Sequence, residues 1–114
     1  MACRAGVPAA VAVIVDHYER TGDRVIRMLA EEERVPGLRD IVDYGRAMHR
    51  DWCARTFAPA LDGLTRQERG RRLAQLVAVC DVYTWKLLRR DAGLSRRQTE
   101  LAMVELLNPM LEDS

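Results

Sequence analysis

The sequence predicts an all-α fold, in one domain over residues 1–114 with five helices. Apolar residues recur with helical spacing along most of the chain, and no segment shows the strict alternation of a half-buried strand. Residues that start or stop helices divide this pattern into five segments. A chain of 114 residues has the length of one domain. We therefore expect a five-helix, bundle-like domain that ends in a long antiparallel helical hairpin.

The first helix is predicted over residues 8–20, because Pro8 suits the first turn of a helix. Its apolar face comprises Val11, Ile14, Val15 and Tyr18. The segment Thr21-Gly22-Asp23 interrupts the pattern, since Gly22 can end a helix and Asp23 or Thr21 can cap the next one. A second helix is then predicted over residues 23–34. The apolar pattern stays in phase across the interruption, so a bend remains an alternative to a break.

The third helix is predicted over residues 37–56, after the helix-ending pair Pro36-Gly37. Its apolar stripe comprises Leu38, Ile41, Val42, Gly45, Met48, His49 and Trp52. A glycine inside a helix costs about 1 kcal/mol relative to alanine. We therefore expect Gly45 to mark a close helix crossing or room for a ligand. Pro59 then turns the chain, because it disfavours helical backbone at the preceding residue.

The last two helices are predicted over residues 65–91 and 95–111. Each begins with a capping-box pattern, Thr65 to Glu68 and Ser95 to Gln98. Gly93 fits the left-handed position that closes the fourth helix.

The fourth helix carries apolar side chains on more than one side. A helix with a single apolar stripe packs onto its own domain, whereas a second stripe needs another surface to cover it. In a chain this short we expect that surface to belong to a second copy. The sequence therefore predicts a homodimer that forms through the closing hairpin.

Composition excludes several classes of protein. The net charge is +1, from 18 basic and 17 acidic residues, without the basic excess of a dedicated nucleic-acid binder. The three cysteines, Cys3, Cys53 and Cys80, are too few and too scattered for a full disulfide framework, which predicts free thiols in a reducing cytosol. No apolar run reaches the roughly 18 residues of a membrane helix. We expect a soluble, cytoplasmic protein.

No motif for a metal, a phosphate or another cofactor is present in the sequence. Cys53 follows His49 by four residues, so one helical face could bring a thiol nucleophile and a base together. Nothing in the sequence supplies an oxyanion hole for this pair. A small enzyme that uses Cys53 and His49 is a third possible function, but we do not expect catalysis.

A cavity with a few polar groups is one interpretation of the inward-facing aromatic residues. Tyr18, Trp52 and Tyr83 lie on the apolar stripes of three different predicted helices. Together with the methionines Met28 and Met48 and with His49, they could line an apolar ligand pocket. An ordinary core with aromatic filling explains the same residues equally well.

Four segments resemble, in their order, the ligand-binding and dimerisation half of the TetR family of transcriptional regulators. They are HYERTGDRV at 17–25, GRAMHRDW at 45–52, FAP at 57–59 and DVYTWKLLRRD at 81–91. The resemblance extends from about residue 8 to residue 111.

The resemblance implies that the last two helices form an intersubunit four-helix bundle, and that the earlier helices enclose a small apolar or amphipathic effector. It implies these candidates for the effector site: Tyr18, Met28, Tyr44, Met48, His49, Trp52 and Tyr83. It implies these candidates for the dimer interface: Val82, Trp85, Leu101 and Val104. The alternative function is a ligand-free helical module for dimerisation or interaction.

The family carries a helix-turn-helix head in front of this region. Only residues 1–7 precede the first predicted helix, which is too short for a three-helix head. We therefore expect a fragment, a misassigned start or a naturally headless protein. DNA would be contacted only through the missing head, so we expect no operator binding by this chain alone.

Overall fold

The fold is all-helical in the computed structural model, which describes residues 4–111. Within that range the α-helices are α1 (Val7–Glu31), α2 (Leu38–Thr56), α3 (Arg66–Val79), α4 (Val82–Trp85) and α5 (Arg96–Leu107). A π-helical stretch, Lys86–Asp91, continues α4. Three short 3-10 turns lie at Arg4–Gly6, Ala58–Leu61 and Asn108–Met110. None of the helices in this part of the chain is long and apolar enough to cross a membrane.

The predicted break at residues 21–23 is wrong, because α1 runs through it without interruption. Gly22 lies on the buried face of α1, and a Cβ atom built there would lie 2.5 Å from Cζ3 of Trp85. The glycine therefore permits a close approach of the indole ring instead of ending the helix. The close crossing expected at Gly45 is also wrong. Gly45 is exposed, and a Cβ atom there would have no neighbour within 4 Å.

The single helix predicted over residues 65–91 is divided at Cys80 and Asp81. The backbone of Asp81 is extended, with φ of −75° and ψ of 155°. Its carboxylate accepts a hydrogen bond from the backbone N–H of Tyr83 at 2.9 Å, which caps α4. The hydroxyl of Thr84 donates to the carbonyl of Ala78 across the break at 2.6 Å. The expected hairpin of two long helices is therefore interrupted in its first arm.

The predicted helix starts at Thr65 and Ser95 are confirmed. Thr65 and Glu68 exchange hydrogen bonds between side chain and backbone, as a capping box requires. The Ser95 hydroxyl accepts a hydrogen bond from the backbone N–H of Gln98 at 3.1 Å. Gly93 takes the predicted left-handed conformation, with φ of 75°.

Helix α1 lies at the centre of the packing and contacts α2, α4 and α5. Its buried stripe meets a core that comprises Leu76, Trp85, Met103 and Leu107, all fully buried. Two ion pairs join α1 to the π-helical stretch, from Arg89 to Glu19 and from Arg90 to Asp23. The N-terminal half of α1 is therefore held by apolar packing, and its middle is held by polar contacts to the second half of the chain.

The molecule is flat, with extents of 45 × 34 × 18 Å. Its radius of gyration is 14.6 Å, whereas a chain of this length is expected near 13 Å. The accessible surface is 7138 Å² for a mass of 13.0 kDa. A compact monomer of that mass exposes about 6,300 Å². The chain therefore exposes roughly 800 Å² more surface than a compact monomer of its size.

Candidate functional site

The seven side chains predicted for the effector site are not gathered around one cavity. Tyr18 is a core residue, and its hydroxyl donates to the backbone carbonyl of Cys80 at 2.7 Å. Tyr44, Met48 and Tyr83 are exposed on the surface. The remaining three, Met28, His49 and Trp52, are half-buried. Tyr44 and Met48 lie on the face of α2 that is turned to solvent, and Tyr83 lies on the exposed side of α4.

A surface cleft of about 570 Å³ lies where α1 meets Trp52 of α2. Its apolar part comprises Ala12, Val13, Ile14 and Trp52. Its polar part comprises Asp16, His17 and Arg20, among which Arg20 and Asp16 form an ion pair at 3.1 Å. The volume falls in the usual range of small-molecule sites, roughly 300–1,000 Å³. An apolar floor beside both a cation and a carboxylate suits an amphipathic molecule.

A second cleft of about 280 Å³ adjoins the first and shares Val13 and Trp52 with it. Its other lining residues are Gly6, Ala9, Ala10, Thr56 and Phe57. The rings of Trp52 and Phe57 meet edge to face, with centroids 6.0 Å apart, which fixes the indole at the junction of the two clefts. Of the seven predicted effector residues, Trp52 lines both clefts and the other six line neither.

Two of the four residues predicted for the dimer interface are core residues of this chain. Trp85 has no exposed surface, and Val82 is also buried. The Trp85 ring packs over Gly22, and its indole N–H donates to the Glu19 carboxylate at 2.9 Å. The resemblance implies an interface position for Trp85, on the outer face of a fourth helix that is predicted to be continuous. The break at Asp81 and the π-helical stretch after it turn that face toward α1.

The other two predicted interface residues lie nearer the surface. Leu101 is 42% exposed, while Val104 is partly buried against the core. Three further apolar side chains of α4, the π-helical stretch and α5 are exposed: Tyr83, Leu87 and Leu106. Leu87 follows Tyr83 by four residues, which places both on one side of the chain's last hairpin. This hairpin therefore presents apolar side chains to solvent, although not through Trp85.

A buried thiol cluster lies where the end of α2 meets the break between α3 and α4. The Cys53 sulfur lies 3.9 Å from Nε2 of His49 and 4.0 Å from the carbonyl oxygen of Leu76. Cys80 belongs to the same buried cluster, and its backbone N–H donates to the carbonyl of Leu76 at 3.1 Å. His49 Nε2 also lies 3.2 Å from the carbonyl oxygen of Val77. The sequence indicated the pairing of His49 with Cys53 but gave no signal for Cys80, which comes from a segment 27 residues away.

The two thiols of this cluster have different acidities. The neighbouring Cys80 and the contact with His49 lower the pKa of Cys53, although burial opposes this. The pKa of Cys80 is raised by Cys53, by burial and by the neighbouring Asp81. Burial disfavours the His49 cation, but Cys53, the Val77 carbonyl and Asp81 together raise the pKa of His49. Cys53 is therefore the more readily ionised thiol.

No family model, curated protein or solved structure matches this chain. Among residues 4–111, no group of three or more histidine, cysteine, aspartate or glutamate side chains is arranged to hold a metal ion. Cys3, predicted to be a free thiol like the other two cysteines, lies outside the described residues. The candidate sites are therefore the paired clefts beside Trp52, the exposed apolar hairpin and the buried thiol cluster.

Proposed function

We propose that this chain is the effector-sensing and dimerisation domain of a TetR-like transcriptional regulator. The family assignment rests on the order of the four resembling segments, and the all-helical fold is compatible with it. The observation that carries the effector part is the apolar cleft floored by Trp52 and flanked by Asp16, His17 and Arg20. The effector is a small apolar or amphipathic molecule.

The effector site in this proposal is centred on Trp52, because this residue lines both clefts. An amphipath would lay its apolar part on Val13, Ile14 and the indole, and its head group beside the ion pair of Asp16 and Arg20. The cation favours an anionic head and the carboxylate favours a cationic one. The sign of the head group is therefore the first property to test.

Two probes of equal chain length and opposite charge, decanoate and decyltrimethylammonium, test the cleft. Binding should quench the fluorescence of Trp52 and raise the unfolding temperature, since a ligand at 100 times its dissociation constant stabilises by about 2.7 kcal/mol. Val13→Asp should abolish both signals by placing a charge on the apolar floor. Ile41→Asp, also on an exposed apolar residue but outside the cleft, is the matched control.

The alternative function is a ligand-free module for dimerisation or interaction. It gains support if the unfolding temperature is unchanged by both probes and by other apolar compounds. One observation favours that alternative. Tyr18, one of the three tyrosines predicted for the effector site, uses its hydroxyl to donate to the Cys80 carbonyl within the core. Equal loss of binding in the Val13 and Ile41 variants would also exclude the cleft as the site.

The dimer in this proposal is an intersubunit four-helix bundle formed by the hairpin of α4, the π-helical stretch and α5. Its contact surface comprises the exposed apolar residues Tyr83, Leu87, Leu101 and Leu106. Val82 and Trp85 support this surface from the core and do not touch the partner.

Sedimentation velocity tests the dimer and its location. The unaltered chain should sediment near twice its mass of 13.0 kDa. Leu87→Glu and Leu101→Glu should each weaken association at least about tenfold, because a charge in a desolvated contact costs more than about 1.4 kcal/mol. Met48→Glu, on the equally exposed stripe of α2, is the control. If only Met48→Glu dissociates the dimer, the interface lies on α2 and not on the hairpin. If the unaltered chain is a monomer, the dimer proposal is wrong.

A further inference from the structure

The two opposite charges that line the cleft beside Trp52 differ in how far their hydrogen bonds are already used. Asp16 and Arg20 lie one turn apart on α1, and Nη2 of Arg20 lies 3.1 Å from Oδ2 of Asp16. Nε of Arg20 donates to the same oxygen at 3.2 Å. Both contacts therefore use one edge of the guanidinium and one oxygen of the carboxylate.

The second oxygen of Asp16 has a partner from outside the cleft. Nη1 of Arg96, on α5, lies 3.5 Å from Oδ1 of Asp16. Arg96 also pairs with Glu100 at 2.9 Å, and neither of these two residues lines the cleft. Two guanidinium groups therefore face the one carboxylate of the cleft, and each of its oxygens contacts one of them.

Arg20 keeps unused donors at the surface. A guanidinium carries five N–H donors, and within residues 4–111 nothing accepts a hydrogen bond from Nη1 of Arg20. Its side chain is 66% exposed, and the edge formed by Nη1 and Nη2 matches the two oxygens of a carboxylate. An imidazole is either neutral or positively charged, so His17 does not attract a cation. The charge that the cleft leaves available is therefore positive.

We infer, on the basis of the proposed effector function, that the effector is an amphipath with an anionic head group of the carboxylate type. The head pairs with the free edge of Arg20, and the tail lies on Val13, Ile14 and Trp52. The helix rises about 10 Å between residues 13 and 20, so a short unbranched chain can lie along α1 from the head group to the indole.

Isothermal titration calorimetry of the full chain tests the sign of the head group. Decanoate and decyltrimethylammonium are compared below the concentrations at which they form micelles. We expect decanoate to bind at least about tenfold more tightly, because only its head group forms charge-assisted hydrogen bonds with Arg20. Acetate, which has the same head group without the tail, should bind too weakly to be detected, because it gains no apolar contact. Equal binding of acetate and decanoate would contradict an amphipathic ligand.

Arg20→Gln should remove the preference for decanoate, so that the two probes bind nearly equally. The control is Arg24→Gln, one turn later on the exposed side of α1 and outside the cleft, which changes the net charge by the same amount. Exposed ion pairs contribute little to stability, so both variants should remain folded, and circular dichroism checks this. Loss of the preference in both variants would assign it to net charge and would overturn the role of Arg20.

Arg96 is a positioning residue in this arrangement, because it reaches the cleft only through Asp16. Arg96→Gln leaves Oδ1 of Asp16 without its partner and should lower the preference for decanoate roughly two- to fivefold, as expected for an exposed charge pair. Arg97→Gln, at the neighbouring exposed position, should leave the preference unchanged. Equal weakening of both probes by Arg96→Gln would contradict the compensation of Asp16, on which the sign of the head group depends.

The results that would overturn the anionic head group are distinct from those that would overturn the effector site. If decyltrimethylammonium binds as tightly as decanoate or more tightly, the cleft still takes an amphipath, but the head group is a cation over the indole of Trp52 and the inference is wrong. If neither probe binds, or if Val13→Asp leaves both affinities unchanged, the effector function at this cleft is wrong and the anionic head group with it.

Discussion

Trp85 makes several kinds of contact in the core. Its ring lies over Gly22 of α1, its N–H donates to Glu19, and the guanidinium of Arg90 lies 4.8 Å above it. Tyr18 packs beside it, with ring centroids 6.1 Å apart. A fully buried indole whose N–H has a charged acceptor satisfies the one polar group that tryptophan brings into a core. The position of α4 against α1 depends on this residue.

Substitution of Gly22 tests the close approach of the indole. In Gly22→Ala the added methyl would overlap a ring that is buried on all sides, which costs about 1–3 kcal/mol. Alanine returns up to about 1 kcal/mol through its helix preference. We expect a net loss of stability in urea unfolding. Gly45→Ala, at an open helical position, should gain stability, and the same sign in both variants would contradict the packing described here.

Acid should weaken the contact between α1 and the π-helical stretch through Glu19. The hydrogen bond from Arg89 lowers the pKa of the Glu19 carboxyl below its value in the unfolded chain. The resulting stability is present above the unfolded pKa and is lost as the pH falls through the folded pKa. Glu19→Gln should therefore be less stable at neutral pH and should lose less stability between about pH 5 and pH 3. Urea unfolding at several pH values across this range measures the change in stability of each chain.

Glu105→Gln is the control for removing one carboxylate, because Glu105 is exposed on α5. If Glu19→Gln and Glu105→Gln follow the same pH profile, the ion pair with Arg89 does not contribute as described.

At the scale of elements, the break at Asp81 decides which face α4 turns toward α1. Three consecutive features act together there: the end of α3 at Cys80, the cap on α4 by Asp81, and the Thr84 bond back to Ala78. The π-helical stretch after α4 then widens the helix, with a bond from the Ala92 N–H to the Leu87 carbonyl at 2.9 Å. Arg89 and Arg90 leave this stretch toward Glu19 and Asp23, one helical turn apart on α1.

Loss of the Asp81 cap should destabilise the chain measurably. Asp81→Ala removes the acceptor of the Tyr83 N–H, and such caps contribute about 1 kcal/mol. We expect a loss of that size in chemical unfolding, together with a shift in the near-ultraviolet signal of Trp85 as α4 moves. Asp51→Ala, on the exposed face of α2, should be neutral or slightly stabilising. If Asp81→Ala loses no more unfolding free energy than Asp51→Ala, the Asp81 cap does not stabilise the break between α3 and α4.

Local signals in the sequence predicted the helix starts well. Thr65 and Ser95 cap their helices through bonds to residues three positions away, so the information is contained within one turn. The left-handed Gly93 is likewise a local requirement. The all-α class follows from the helical spacing of the apolar residues. In α1 the apolar residues with this spacing pack against three other helices.

The errors lie where distant residues decide the outcome. The sequence pattern predicts a helix end at Gly22. A glycine is required there instead because the ring of Trp85, 63 residues later in the sequence, packs against it. Asp81 lies in an unbroken apolar pattern, so no period change marks the break. Among the effector candidates, Tyr83 is exposed for the same reason, since the face that α4 turns to solvent depends on the break. The thiol cluster was half predicted, because His49 and Cys53 share one helix and Cys80 does not.

At the scale of the whole molecule, the chain is flat and carries exposed apolar residues in more than one place. Exposed apolar residues occur on α2 as well as on the last hairpin, namely Ile41, Tyr44 and Met48 on the former.

The unfolding temperature should rise with protein concentration if the folded chain is a dimer. Association stabilises the folded state by mass action, so the midpoint becomes dependent on concentration. Calorimetry at two concentrations a hundredfold apart measures this. Leu101→Glu, whose side chain lies on the proposed interface, should remove the dependence. A midpoint that is independent of concentration in the unaltered chain would contradict the dimer.

The 18 Å thickness has a consequence for how the interior meets water. Helices pack with axes about 8–10 Å apart, so a slab of this depth is roughly two helices thick. A core of this kind has no layer that is shielded on every side by other helices. Amide hydrogens that exchange slowly with deuterium should therefore be confined to the faces on which the two layers meet, around Val11 and Val15 of α1 and around Met103 of α5, with faster exchange on the outer faces.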